Sequence, residues 1–340
     1  MDNNGTRLLP NQTSASDPDC RSFLYQQNIV PILYFLMFPV SLLLNGVAAW
    51  VSLHLKSTST FMVYQKNIIA ADVLMTLIMP IDATSEMTEH SKIILVLSCY
   101  VSPIFYSTQY TCITLLGLIS LDRFFKIVMP GSLLLAQNLT FSKVLSGSVW
   151  VTLFCVTALP NMILSNKPIV NLEEITSCMH LKEAPGLEFH ENVIIYLNGY
   201  FWLVSVVITV CYICIAKKVI QSYRNSGSKN NQGNQKIKLR VFLVVVVFFL
   251  SFGPYHLIRI PYTFMQVNSM ADSYCTYVLS KFIKEFSLWF ATTNICMNPL
   301  LYIFLCHEFK EKLMAMMEKL YVSWRLAPQC TSGQCRLKLV

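Results

Sequence analysis

Charged side chains are scarce in this sequence, where Asp, Glu, Lys and Arg make up 13% of 340 residues. Soluble globular proteins carry about 25%, so the composition excludes a chain whose whole surface faces water. Hydrophobic residues reach 54%. The sequence is therefore predicted to be that of a membrane protein.

Patterns that carry catalysis or transport are also missing. The sequence has no metal-ligand cluster, no glycine loop that would cradle a phosphate, and no nucleophile with a base and an orienting group. The internal repeats and paired broken helices of secondary transporters are absent, as is the repeated filter of a channel. These absences argue against an enzyme, a transporter and a channel.

Long stretches without charge recur along the chain. Six of them approach or exceed the roughly 20 residues that span hydrocarbon, and a further one contains only Asp72. Because helices satisfy their own backbone groups in lipid, we predict an all-α membrane protein, a seven-transmembrane helix bundle with short connections. The stretches are 22–55, 67–81, 93–121, 144–166, 192–216, 241–258 and 286–306.

An amphipathic segment from Glu308 to Tyr321 follows the last stretch and is predicted to lie along the membrane surface as an eighth helix. The chain then divides into an N-terminal segment 1–27, a transmembrane domain 28–306, and an amphipathic helix with a tail, 307–340. The segment from Met1 to Arg21 is polar, so no cleavable signal peptide is predicted.

Lys and Arg are concentrated in the C-terminal tail and in alternate loops. The positive-inside rule places these segments in the cytoplasm and the N-terminus outside the cell. The net charge of +8 is thereby explained without a nucleic-acid partner. Asn4 and Asn11 each begin a glycosylation sequon on the outer side, where glycosylation takes place.

Six of the twelve cysteines lie singly in apolar stretches, where a thiol behaves as a small hydrophobic group. Cys20, Cys99, Cys178 and Cys275 fall outside those stretches or at their outer ends. Four cysteines allow three connectivities. The position of Cys99 at the top of the third helix favours a pair with Cys178 in the second outer loop, and Cys20 with Cys275.

A polar stripe interrupts the sixth apolar stretch. His256, Arg259, Tyr262 or Thr263, and Gln266 follow one another at spacings of three and four residues, which puts them on one face of a helix. The stripe predicts a polar cavity inside the bundle. The alternative is that Arg259 extends to the lipid headgroups at the end of its helix.

Short motifs occur once per helix and in a fixed order, and they resemble the marks of rhodopsin-like G-protein-coupled receptors. They are Asn45, Asp72, Asp122-Arg123-Phe124, Trp150, Phe252-Gly253-Pro254 and Asn298-Pro299-Leu300-Leu301-Tyr302. Other segments are similar to the purinergic ADP-receptor group, namely 160–166, 215–218, 256–263 and 284–285. The resemblance implies a plasma-membrane receptor for an extracellular nucleotide diphosphate, foremost ADP. Its implied partners are an inhibitory G protein, arrestin and membrane lipid.

The resemblance also implies which side chains touch the nucleotide. They are Tyr106, Tyr110, Asn161, Cys178, Lys182, His190, His256, Arg259, Tyr262, Gln266 and Lys284. The chemistry is suitable, because a diphosphate needs several cations and a tyrosine ring offers a surface for adenine. In this hypothesis the diphosphate bridges Arg259, Lys284 and Lys182. The alternatives are that both lysines are solvated charges at loop ends and that Tyr106 and Tyr110 only pack between helices.

Coupling and activation are assigned to a second set of residues, Asp122, Arg123, Pro130, Tyr212, Pro254, Asn298, Pro299 and Tyr302. Arg123 is expected to leave Asp122 on activation and to meet Tyr212 and Tyr302, while helix six hinges at Pro254. A sodium ion is a possible structural ligand of the resting state, held by Asp72, Asn294 and Asn298 beside Cys112.

Several positions depart from the pattern of the group, and three of them bear on the ligand or on coupling. Asp82 places an anion near the mouth of the pocket, where it would repel phosphate. Ile194 removes a polar contact to the base, and Gly131 removes an apolar contact to the G protein. The alternatives within receptors are therefore a receptor for a UDP-sugar, a receptor for a lysophospholipid, or an orphan whose ligand has changed.

Overall fold

The computed structural model describes residues 28–56, 58–87, 91–130, 138–169, 171–172, 175–225, 231–268 and 274–326. Asn4, Asn11, Cys20 and Gly131 lie outside this part of the chain. The described residues form helices and no strand, which confirms the predicted fold class. The helices are α1 (Ile29–Leu53), α2 (Thr60–Ser85), α3 (Lys92–Ile127), α4 (Leu139–Ile163), α5 (Ala184–Asn225), α6 (Asn231–Asn268), α7 in two segments (Tyr274–Thr292 and Asn294–Leu305) and α8 (His307–Leu326).

The helices α1 to α6 are each long and apolar enough to cross a membrane. The seventh span is α7, which passes the same test together with α8 across a bend of 90°. Cys306 adopts an extended backbone at this bend and ends α7. Phe309 on α8 is buried and meets the ring of Tyr302 on α7 edge to face, which holds the amphipathic helix against the bundle.

Local sequence explains several helix ends and irregularities. The side chain of Ser59 caps α2 by accepting from the backbone N–H of Met62, and Asn138 caps α4 by accepting from Thr140. A π-helical turn at Phe154–Ala158 interrupts α4 just before Pro160. Proline has no N–H to donate and breaks the regular hydrogen-bond register of a helix, which is consistent with the π-turn.

The bundle is arranged around α3, which packs against α2, α4 and α5, while α6 and α7 pack on each other and α7 closes onto α1. Single polar side chains join neighbouring helices. Asn45 on α1 donates to the carbonyl of Ile295 on α7, and Trp150 on α4 donates to Asn67 on α2. Each transmembrane helix satisfies its own backbone groups, so hydrogen bonds between helices come from side chains such as these.

The segment between α4 and α5 is fixed at two points. Cys99 at the outer end of α3 forms the predicted disulfide with Cys178, and Gly186 in the first turn of α5 approaches the end of α4. A Cβ atom at Gly186 would lie 2.7 Å from the carbonyl oxygen of Leu164, so this approach requires glycine. Cys275 is also disulfide-bonded, and its predicted partner, Cys20, lies outside the described residues.

Candidate functional site

A polar cavity of about 440 Å³ lies inside the end of the bundle that carries the Cys99–Cys178 disulfide. This volume falls within the range of about 300–1,000 Å³ that is typical of small-molecule sites. Most of the side chains predicted to contact a ligand line the cavity, together with Cys178: Tyr106, Asn161, Lys182, His190, Arg259, Tyr262, Gln266 and Lys284. The stripe on α6 therefore faces an internal cavity, and Arg259 does not extend to the lipid headgroups.

Arg259 is 6% exposed and is the cation most enclosed by aromatic side chains. Its guanidinium lies 4.6 Å from the ring centroid of Tyr106 and 5.1 Å from that of Tyr255, and it donates a hydrogen bond to the Tyr255 hydroxyl. In the described part of the chain Arg259 forms no ion pair with a carboxylate. A buried cation without an anion is costly, so this position is suited to an anionic ligand.

Lys182 is a second cation without a carboxylate partner among the described residues. It follows the short helical turn Cys178–Leu181, and its ammonium donates to both the backbone and the side-chain oxygen of Asn161 at 3.2 Å. Burial lowers the pKa of Lys182 to about 8, because the charged form loses hydration. Lys182 is thus a buried loop residue and not a solvated charge at a loop end.

Two other cavity cations are already neutralised by neighbouring carboxylates. Lys284 lies 2.6 Å from Glu285, and Lys281 lies 2.8 Å from Glu86 at the end of α2. The Lys284 ammonium also lies 5.4 Å from the ring centroid of Tyr262. Lys284 would have to leave Glu285 before it could bind a diphosphate together with Arg259 and Lys182.

Tyr110 and His256 lie outside the cavity wall, so the structure does not bring them together with the other predicted contacts. His256 stacks on Phe201 at 3.6 Å between ring centroids. Its Nδ1 lies 2.8 Å from the carbonyl oxygen of Phe252 and must carry the proton, so Nε2 accepts from the Tyr110 hydroxyl at 3.1 Å. These two side chains pack between the helices next to the cavity.

From the sequence, Asp82 was noted only as a departure from the pattern of the receptor group, and its contact with Ser102 was not predicted. Asp82 lines the cavity and accepts a hydrogen bond from Ser102 on α3 at 2.7 Å. Ser102 stands four residues before Tyr106, which puts both on one face of α3. That spacing was the available signal for Ser102. Ile194, the other departure, is buried and also lines the cavity.

Asp72 forms a separate polar centre in the middle of the bundle, where it is fully buried. Its carboxylate accepts from Asn298 Nδ2 at 2.9 and 3.2 Å and from the Cys112 thiol at 3.7 Å. Asn294 is buried as well. Asp72 forms no ion pair within the described residues, and a carboxylate beside an amide side chain provides oxygen donors that suit a small hard cation.

Comparisons with known proteins agree with this arrangement. The model of the family described as "7 transmembrane receptor (rhodopsin family)" matches residues 44–302. The chain belongs to this family. Human purinoceptor 13 is 43% identical over 292 residues, covering 85% of this chain and 81% of the relative. Purinoceptor 14 of Bos taurus is 37% identical over 291 residues, covering 85% and 86%. G-protein coupled receptor 87 of Mus musculus is 37% identical over 289 residues, covering 84% and 79%.

The resemblance indicated by the motifs is thus confirmed: the chain is a multi-pass membrane receptor of the purinoceptor group. Its family is one of receptors and not of enzymes.

At the opposite end of the receptor, the expected pair of Asp122 and Arg123 is not formed. Asp122 binds Lys126 at 2.8 Å and accepts from Thr60 at 2.5 Å, whereas Arg123 lies 4.8 Å from the ring centroid of Phe61. The expectation that Arg123 must leave Asp122 is therefore wrong for this conformation. Adjacent side chains on a helix diverge, while those four residues apart share a face.

The other residues assigned to coupling lie on three helices and at the end of α3. Tyr212 is buried and hydrogen-bonds Ser120. Tyr302 is buried, and its hydroxyl has no hydrogen-bond partner within the described residues. Pro254 lies inside α6, Pro299 lies inside α7, and Pro130 is exposed after the end of α3.

Proposed function

We propose that this receptor binds an extracellular nucleoside diphosphate, with ADP as the candidate agonist, and activates an inhibitory G protein. The observation that carries the proposal is Arg259, a buried cation in a ligand-sized cavity with no carboxylate partner among the described residues. The relatives named purinoceptor 13 and purinoceptor 14 support a purine-type ligand. The receptor acts at the plasma membrane with its N-terminus outside.

The phosphates are proposed to lie between Arg259 and Lys182. Both line the cavity, both are buried, and neither forms an ion pair in the described structure. Arg offers a planar fork and Lys a point charge, a combination that suits a flexible chain of phosphates. Tyr106 already lies against Arg259 and presents a ring on which a base can stack.

Signalling is proposed to follow from movement of α6 at Pro254, which interrupts the hydrogen bonds of that helix. Arg123 would exchange the ring of Phe61 for Tyr212 and Tyr302, whose hydroxyl is available. The open cytoplasmic end would admit the G protein and later arrestin. A sodium ion at Asp72, Asn294 and Asn298 would stabilise the resting state.

The test is G-protein activation in cells that display the receptor, with ADP, ATP, UDP-glucose and a lysophospholipid as ligands. Arg259→Ala should abolish the response to ADP while surface expression persists. Lys167→Ala is the matched control, because Lys167 is an exposed cation in the same outer region that does not line the cavity. Equal ADP potency in the parent and in Arg259→Ala would refute the assignment. A response to UDP-glucose or the lipid alone would identify one of the alternative ligands.

A further inference from the structure

Among the oxygen-bearing side chains that α1, α2 and α3 contribute to the cavity are Tyr34, Asp82 and Ser102, and these three are here called the acceptor wall. Ser102 Oγ lies 2.7 Å from Asp82 Oδ1, and Tyr34 on α1 lines the same cavity. Ser102 and Asp82 are therefore directly linked, and Tyr34 shares the cavity with them.

The proton of Ser102 is already committed within the acceptor wall. A serine hydroxyl has one proton to donate, and Ser102 donates it to Asp82. Its remaining capacity is to accept. In its ionised form the Asp82 carboxylate only accepts, and in that state neither Ser102 nor Asp82 has a proton for a ligand.

The hydroxyl proton of Tyr34 is also already used in a hydrogen bond within the protein. Its hydroxyl oxygen lies 3.4 Å from Oγ1 of Thr292, and Thr292 donates its own proton to the carbonyl oxygen of Leu288 at 2.8 Å. Tyr34 must therefore be the donor to Thr292, and its oxygen is left to accept. The acceptor wall as a whole offers hydrogen-bond acceptors and no donor.

The cations of the cavity offer the complementary chemistry. Arg259 and Lys182 are donors only and carry positive charge. A phosphate group, which is anionic and without donors at neutral pH, matches Arg259 and Lys182 but is repelled by Asp82. The cavity is thus chemically divided, and a ligand that fills it must present different groups to its two parts.

We propose that the acceptor wall is a second subsite that binds a hydrogen-bond-donating group, an amine or a hydroxyl, at the end of the ligand opposite its phosphates. The inference rests on the proposed nucleotide function and orients the ligand within the cavity. In ADP, the donors away from the phosphates are the exocyclic amino group of the base and the ribose hydroxyls. Asp82 then favours ligands that can donate a hydrogen bond to its carboxylate.

The two sources of donor are separated by two ADP analogues tested on the full receptor at the cell surface. Purine riboside diphosphate replaces the exocyclic amino group by hydrogen, and 2′,3′-dideoxy-ADP lacks the hydroxyls. Hydrogen bonds to charged groups are the stronger class, and sites built for them reject analogues that lack the partner. One or both analogues should be at least tenfold less potent than ADP. Asp82→Asn keeps the shape of the side chain but removes its charge. In this variant the weaker analogue should be less than threefold less potent than ADP.

Ser102→Ala is the second variant, because it removes one acceptor and leaves Asp82 in place. It should reduce the same potency ratio without reversing it. Equal potency of all three ligands in the parent would overturn the proposal, as would ratios that stay unchanged in both variants. If the proposed nucleotide function itself is wrong, the result is distinguishable, because no diphosphate would then give a response that depends on Arg259.

Discussion

The guanidinium of Arg259 lies 4.6 Å from the ring centroid of Tyr106, and both side chains line the same cavity. The contact joins α6 to α3 through a cation and an aromatic face. It holds the guanidinium in place in the absence of ligand, so the proposed phosphate would meet a cation whose position is already set.

Loss of the Tyr106 ring should weaken the nucleotide response. A cation over an aromatic face contributes about 0.5–2 kcal/mol, so Tyr106→Leu should raise the EC50 of ADP roughly three- to thirtyfold. Tyr106→Phe keeps the ring and should change the EC50 of ADP by less than about threefold. If the Phe variant is as weak as the Leu variant, the hydroxyl and not the ring matters. Concentration–response curves at matched surface expression measure both.

Alkaline medium should weaken ADP binding through Lys182. With its pKa lowered to about 8 by burial, the free receptor keeps the charge below that pH and loses it above. Bound phosphate favours the charged form, so affinity should be constant below pH 8 and should fall between pH 8 and pH 9. Lys182→Arg stays charged and should flatten the profile. An equally steep fall in Lys182→Arg would assign the effect to another group. Radioligand binding to membranes is the measurement.

Lys284 should matter less than Arg259, because it is paired with Glu285 at 2.6 Å. Lys284→Met should reduce ADP potency by a smaller factor than Arg259→Ala does. Glu285→Gln releases the Lys284 ammonium from its ion pair and should increase ADP potency, because the free ammonium can then bind a phosphate. A fall in potency in Glu285→Gln would show that the carboxylate contributes to binding.

The bond from Thr60 to Asp122 should contribute to receptor stability. Asp122 is buried and receives the Thr60 hydroxyl at 2.5 Å. Thr60→Val keeps the shape and removes the donor, which should cost about 1–3 kcal/mol for a bond to a charged group. Thr60→Ser retains the hydroxyl and is the control. Thermal unfolding of the purified receptor should show a lower midpoint for Val than for Ser.

The spans and the polar stripe could be predicted from sequence because each depends on a local pattern. Charge-free stretches of sufficient length identify helices in lipid, and spacings of three and four placed Arg259, Tyr262 and Gln266 on one cavity wall. The same spacing grouped His256 with them. Depth along the helix is set by how α6 packs on its neighbours, and His256 lies outside the cavity, stacked on Phe201.

Charge pairing was harder to predict. Asp122 has cations at the next position and four positions later, and helix geometry favours the second, Lys126. That outcome was accessible from spacing but was overlooked in favour of the motif. Lys284 and Glu285 pair although adjacent side chains usually diverge. Both side chains are enclosed in the cavity, which brings their charges together.

Gly186 restricts how this receptor can be engineered. Replacing helical glycine by alanine is a common way to stabilise a protein, and Gly199, elsewhere on α5, has nothing within 4 Å of an added Cβ. At Gly186 the added methyl group would meet the Leu164 carbonyl oxygen at 2.7 Å and the Lys182 side chain at 3.2 Å. A thermostabilised version that includes Gly186→Ala would thus gain helix propensity while displacing the lysine proposed to hold the agonist.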